Sequence, residues 1–352
     1  MFDHLEIRNF KSVEHVELSC RRVNVLIGDP NTGKSNILEA LGLISYVGHS
    51  SRASNLSMFV RYDEISNLFY GGFLSRPLEI NLSRSLPVGA DLCMQERIGL
   101  RLEYANGRFR GGVGEEGLIQ ELGAEPFRSS IEPRAYPIVG NSQSLGVGQG
   151  DDKLGIVPTC RFYRFAPMST FPIKAGGFLL PPSGANLLSL LLRDQDLAGE
   201  VTDLFSERGL RLGMRPDENR IEVLKESGRS NFSHPYHLTS DTLQRHVFHI
   251  AALRTNSESL VVFDDMDGHA SPSHAEYLAE SIALDDRGNQ YFVSTCSPRF
   301  LLPILEKTSS DDIAVFMTYS YEHSTRVRQL SRDELARISD GIDVFSNFQM
   351  FL

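Results

Sequence analysis

No tryptophan occurs among the 352 residues, and the four cysteines (Cys20, Cys93, Cys160, Cys296) stand far apart without a C-x-x-C pair. Such spacing offers neither a disulfide framework nor a zinc knuckle. No apolar run approaches the ~18 residues a bilayer-spanning helix needs, and the first residues lack the basic and apolar regions of a secretory leader. A cytoplasmic chain without membrane contact is expected. Basic excess is missing too: 45 acidic residues outnumber 35 Lys and Arg, a formal net charge of −10. Proteins that grip nucleic acid along an extended surface usually carry the opposite sign, so charge does not support nucleic-acid binding, though a local basic patch stays open. Arg208, Arg211, Arg215 and Arg220 are interleaved with Glu207, Asp217 and Glu218 and read as a solvated face. Neither repeats nor sustained heptads occur, which argues against a long coiled coil.

What is present begins at Gly28. The stretch Gly28, Asp29, Pro30, Asn31, Thr32, Gly33, Lys34, Ser35 fits G-x-x-x-x-G-K-[ST]. The apolar run Val23–Ile27 precedes it as a buried strand, and Ile37, Leu38, Leu41 and Ile44 follow at helical spacing. A strand feeding a glycine loop that opens a helix aims backbone N–H groups and the positive helix end at one point. In that geometry Lys34 reaches the β- and γ-phosphates of a nucleoside triphosphate, and the Ser35 hydroxyl ligates Mg2+. The alternative, a Gly/Asn-rich turn capping an ordinary helix, leaves the Lys-Ser pair unexplained.

A second element is the run Ser259–Phe263 ending in Asp264 and Asp265. An apolar strand closing on two carboxylates has the form of a Walker B element, with Asp264 holding the metal through water and Asp265 placed to orient or deprotonate the attacking water. Without the glycine loop, a solvated strand end or helix cap would be the preferred reading of the pair. A third strand, Gln290–Thr295, ends in Cys296, Ser297 and Pro298, a natural place for a γ-phosphate sensor.

Around these motifs the spacing predicts strands at 2–8, 13–18, 78–82, 98–104, 108–113, 160–165 and 220–224. Helices are expected at 186–192, 197–207, 240–253 and 274–283, and a hairpin (313–319, 325–330) precedes a helix from Arg332. The Gly/Ser/Gln-rich stretch 139–155 reads as a mobile loop. The expected fold is α/β: a P-loop NTPase with a mixed sheet, an N-terminal β-subdomain and an inserted α+β region. Residues 1–50 and 236–352 form the head, and 51–235 the insertion. His234, His237, His246 and His249 invite a metal reading, but no carboxylate or cysteine is suitably placed, so surface or packed histidines are preferred.

The order of elements resembles the ABC-type ATPase heads of the RecF, SMC and OLD-like group, and within it stand-alone bacterial AAA family ATPases. The opening Leu5-Glu-Ile-Arg-Asn-Phe-Lys11-Ser12, the P-loop, the acid-ended strand and the Thr295–Pro298 strand end carry the resemblance, together with Pro182–Asn186 and Asp267-Gly-His269-Ala-Ser-Pro272. The resemblance implies ATP and Mg2+ as cofactors, with Asn36 and Lys11 near the nucleotide. It further implies a head-to-tail homodimer or higher homo-oligomer in which each ATP meets the other subunit's signature motif. Here that motif corresponds to Leu238–Gln244, with Ser240 and Thr242 offering hydroxyls.

Three departures stand out against the family pattern: Asp241 where glycine is usual, Asp265 where the catalytic Glu is usual, and Cys296 where the switch His is usual. Shortening the carboxylate by a methylene misplaces it by ~1 Å, which can cost about 10²-fold in rate. Binding machinery intact and hydrolysis machinery weakened is therefore the expectation. The output is ATP-driven dimerisation that regulates a separate effector protein, in phage defence or genome maintenance, because the segment after residue 305 is too short for a nuclease or Toprim domain. Two rivals remain: a non-hydrolysing nucleotide-dependent scaffold or sensor, and a RecF-like DNA-binding ATPase. No N-K-x-D base-reading motif occurs, so adenine is preferred over guanine.

Overall fold

The computed structural model describes residues 1–50, 55–87, 92–121, 136–147, 157–174, 176–227, 230–268 and 270–351. Along the chain run β1 (His4–Phe10), β2 (Val13–Ser19), β3 (Val23–Ile27) and α1 (Lys34–His49). A β-rich stretch follows: β4 (Leu78–Pro87), β5 (Leu92–Ala105), β6 (Arg108–Glu121), β7 (Tyr136–Gly140), β8 (Leu145–Val147) and β9 (Cys160–Tyr163). Next come α2 (Leu187–Arg193), α3 (Gln195–Ser206), β10 (Leu210–Arg215), β11 (Arg220–Ser227), β12 (Ser230–Pro235) and α4 (Asp241–Thr255). The chain continues with β13 (Leu260–Phe263), α5 (Pro272–Ala283), β14 (Gln290–Ser294), α6 (Pro298–Lys307), β15 (Ile313–Tyr321), β16 (Ser324–Gln329) and α7 (Arg332–Ser339).

Three sheets result. The central one has the order β16-β15-β3-β14-β13-β9, parallel apart from the β15–β16 hairpin. Its inner strands are buried on both faces, which is why they read as unbroken apolar runs rather than alternations. Val25, Val261 and Val293 face one core, shared with α2 to α6; Leu26, Val262 and Phe292 face a second, shared with α1 and the other large sheet. That second sheet is antiparallel, β2-β1-β4-β5-β6-β7-β8, and a small sheet β10-β11-β12 packs beside α3.

Two sequence expectations need correction. Residues 139–147 are not a mobile loop: Asn141 accepts the backbone N–H of Gln143 at 2.9 Å and of Ser144 at 3.0 Å, closing the β7–β8 hairpin, while 148–155 lie outside the described residues. Strands β10 and β12 were not anticipated: β10 lies in the Arg-rich run that reads as a solvated face, and β12 is mostly polar. The central sheet takes its edge strand β9 from within the stretch expected to be an insertion.

Candidate nucleotide site

The parallel strands β3, β13, β14 and β9 end on the same edge of the sheet, where open α/β sheets place their ligands. Each sequence motif sits just past one of those ends. Gly28 (φ 148°) and Gly33 (φ 100°) bracket the loop, and an added Cβ would stand 2.4 Å from the Thr318 carbonyl oxygen at the first and 2.0 Å from Thr325 Oγ1 at the second. Only glycine fits either place. Inside the loop the Thr32 hydroxyl donates to the Asp29 carbonyl at 2.8 Å and pairs with Thr318 Oγ1 at 2.7 Å. Asp29, Pro30 and Asn31 form the exposed tip.

Helix α1 opens on Gly33, with no acidic residue in its first turn and no side chain capping its free N–H groups. Its positive end is thus left for an anion. Lys34 Nζ curls back over the loop, donating to Gly28 O at 2.7 Å and Asp29 O at 2.9 Å. Those carbonyls are weak partners for an ammonium, and a phosphate is a stronger one. Cys296 Sγ also reaches Gly28 O, at 3.6 Å, so the third strand end does abut the loop.

Asp264 follows β13 with its side chain 5% exposed; its Oδ2 accepts from Arg164 Nη2 at 2.9 Å, whereas Oδ1 is buried without a partner. An unpartnered, enclosed carboxylate oxygen suits a metal-bound water, so the donor set fits Mg2+ held by Ser35 and Asp264. Asp265 occupies the left-handed region (φ 59°) and its carboxylate folds over Gly268, where an added Cβ would lie 2.3 Å from Oδ2.

Sequence reasoning overlooked the carboxylate that faces the loop. Thr295 Oγ1 donates to Asp267 Oδ2 at 2.6 Å; burial pushes the Asp267 carboxyl up to about 6, and that hydroxyl and the Lys34 ammonium only partly offset the rise. Asp267 opens the stretch Asp267–Pro272 that carries part of the family resemblance, but nothing in that stretch assigned its carboxylate a role at the loop. Also overlooked was Glu39, on α1 one turn beyond Ser35, its side chain wholly buried. It pairs with Lys11, with Arg61 Nε at 2.7 Å and with Arg164 Nη2 at 2.7 Å. Burial opposes the charge on Glu39, but these cations outweigh it and hold its carboxyl below the usual range. Burial likewise pulls the Lys11 ammonium down, against the attraction of Glu39.

Lys11 is therefore committed to Glu39, and Asn36 donates to Ser12 Oγ at 2.6 Å. Ser240 and Thr242 begin α4, which packs on α2, α3 and α5; Asp241 beside them accepts from Arg245 at 2.7 Å. Asp241 thus bonds within its own helix, not to the glycine loop. His249 is buried and His246 stacks on His274 at 3.7 Å, so these two are packed between α4 and α5. His269 lies outside the described residues. No described helix is long and apolar enough to cross a membrane.

Residues 1–70 match the family model of an AAA ATPase domain. DNA replication and repair protein RecF of Bacillus mycoides (strain KBAB4) is 34% identical over 85 residues, and that of Bacillus cereus (strain B4264) 33%. Each match covers 23% of this chain, and the chain spans 22% of the length of these curated relatives. Among solved structures, an SMC head bound to the C-winged helix domain of ScpA aligns over 95% of this chain and 99% of its own, with a TM-score of 0.56 and 15% identity. In fold the chain is similar to an SMC head, and around its glycine loop its sequence is similar to AAA ATPase domains and to RecF.

Proposed function

We propose that the chain binds Mg-ATP at the loop 28–35 and hydrolyses it slowly, and that ATP closes two copies head to tail to control a separate effector protein in the cytoplasm. The observation that carries this reading is the convergence at one sheet edge of an uncapped helix start, the Lys34 ammonium and an enclosed Asp264 oxygen without a partner. Lys34, with Ser35 and the loop amides, holds the triphosphate, and Ser35 and Asp264 hold the metal, which neutralises phosphate charge when bound. Asp265 orients the attacking water. Slow turnover is supported by Asp265 lying folded over Gly268 and by a thiol at Cys296, which is a weak donor to phosphate. Head-to-tail closure would bring the partner's Ser240 and Thr242 to the triphosphate. Phage defence or genome maintenance is the setting we infer.

Single-turnover hydrolysis and light scattering in Mg-ATP test both halves. Slow phosphate release with an ATP-dependent rise to dimer mass is expected. Turnover as fast as an ordinary transport ATPase, abolished by Asp265→Asn, would defeat the slow-site reading; a monomer at saturating ATP would defeat the dimer. The RecF match favours a second reading, direct DNA binding, which the net charge of −10 opposes. Salt-dependent binding of duplex DNA near physiological ionic strength would establish it.

A further inference from the structure

Parallel pairing of β9 with β13 sets Tyr163 against Phe263, so the next residues, Arg164 and Asp264, emerge side by side at the sheet edge. Arg164 is anchored from behind: its N–H donates to Pro182 O at 3.1 Å and its guanidinium lies 5.0 Å from the Phe162 ring centroid. One nitrogen, Nη2, bridges Glu39 Oε1 at 2.7 Å and Asp264 Oδ2 at 2.9 Å. The other, Nη1, is buried without a partner, as is Asp264 Oδ1. A guanidinium with five donors that leaves both N–H groups of Nη1 idle, beside a carboxylate that leaves an oxygen idle, is a pair not locked in its best geometry. Glu39 would not be stranded if Arg164 moved, because Lys11 and Arg61 remain on it.

We propose that Arg164, the nearer of two arginines on Asp264 (Arg61 Nη2 stands 3.7 Å from the same oxygen), is its principal resting counter-ion, a positioning residue that yields this carboxylate to the divalent cation when nucleotide loads and stays tethered to Glu39. The inference rests on the Mg-ATP reading above and adds a built-in competitor for the metal. Two cations of like charge cannot both sit on one carboxylate at full strength, so the pair raises the magnesium concentration that loading requires. It also couples the metal position to α1, since the same nitrogen serves Glu39 on that helix.

The test is the magnesium midpoint for binding a fluorescent ATP analogue to the full chain, alongside binding in EDTA. Arg164→Gln should lower the midpoint by about three- to tenfold, roughly the strength of a part-buried charge pair, and leave binding in EDTA unchanged. Arg164→Lys, which keeps the charge and guards against loss of fold in the first variant, should lower the midpoint less than Arg164→Gln does, since a cation remains but the bridging fork is lost. In an Asp264→Asn background the effect of Arg164→Gln should vanish, which a merely structural role would not produce. An unmoved or raised midpoint would overturn the proposal while leaving the nucleotide reading in place. Weaker binding of Arg164→Gln in both buffers would assign the guanidinium to phosphate and overturn it as well. A wild type that binds no nucleotide in either buffer would remove both readings together.

Discussion

Two helices begin beside loops that the sequence marks as nucleotide contacts, and they are built differently. Helix α1 starts behind a left-handed glycine with a lysine as its first residue, no acid in its first turn and no side-chain cap. Helix α4 starts with Asp241, whose carboxylate sits on the positive helix end and is itself answered by Arg245. The first leaves its dipole for a ligand; the second, though no side chain caps it either, carries an acid of its own in the first turn. A helix start is an anion site only where the protein withholds its own anion, and here it does so at one end of the site and not at the other.

The largest effect expected from breaking this contrast lies behind α1. Glu39→Gln would leave Lys11, Arg61 and Arg164 crowded without their shared carboxylate, at a cost of about 3–5 kcal/mol in unfolding free energy by denaturant titration. Because the folded pKa of Glu39 is depressed, its stabilisation is present above its unfolded value near 4.5 and is lost as pH falls through the lower folded one. Next, Lys34→Ala should weaken Mg-ATP binding by about 100-fold, near 2.7 kcal/mol by calorimetry, with little change in melting temperature. Its present bonds are only to two loop carbonyls.

Asp267→Asn is expected to act with the opposite pH sense. The fold favours the neutral acid, so this group's contribution is best below its unfolded value of 3.8 and declines as pH climbs through about 6. The variant should therefore gain on the order of 1–2 kcal/mol over the wild type at about pH 7.5, and nothing at about pH 4, in paired thermal melts. The smallest effect is at α4. Asp241→Ser removes the acid at the helix start and should cost about 0.3–1 kcal/mol of stability in the free chain. If the partner's α4 does meet the triphosphate, the same change should strengthen ATP-dependent dimerisation in sedimentation.

How much of this was legible beforehand follows from the range of the interactions. The loop, the strand before it and the two acid- or hydroxyl-ended strands were legible because each motif is local and each strand is buried on both faces. Their assembly at one edge follows from parallel pairing, which β-α-β alternation already implied. The ion cluster was not legible, since Glu39 meets Arg61 and Arg164 from remote parts of the chain. One signal was available: α1 is apolar almost all round, so an acid in the middle of it had to be buried and had to find cations. The hairpin at 139–147 was missed because composition pointed to a loop while one Asx turn at Asn141 decided the structure. For Asp267, only the hydroxyl of Thr295 on a neighbouring strand end reveals its place.

Amide hydrogen exchange of the full chain, with and without Mg-ATP, addresses the contrast between the two helix starts most directly. Strong protection of residues 28–36 at protein concentrations too low for dimerisation, with 238–243 protected only when dimers form, is the expected pattern. Unchanged exchange at 28–36 in saturating Mg-ATP would contradict it.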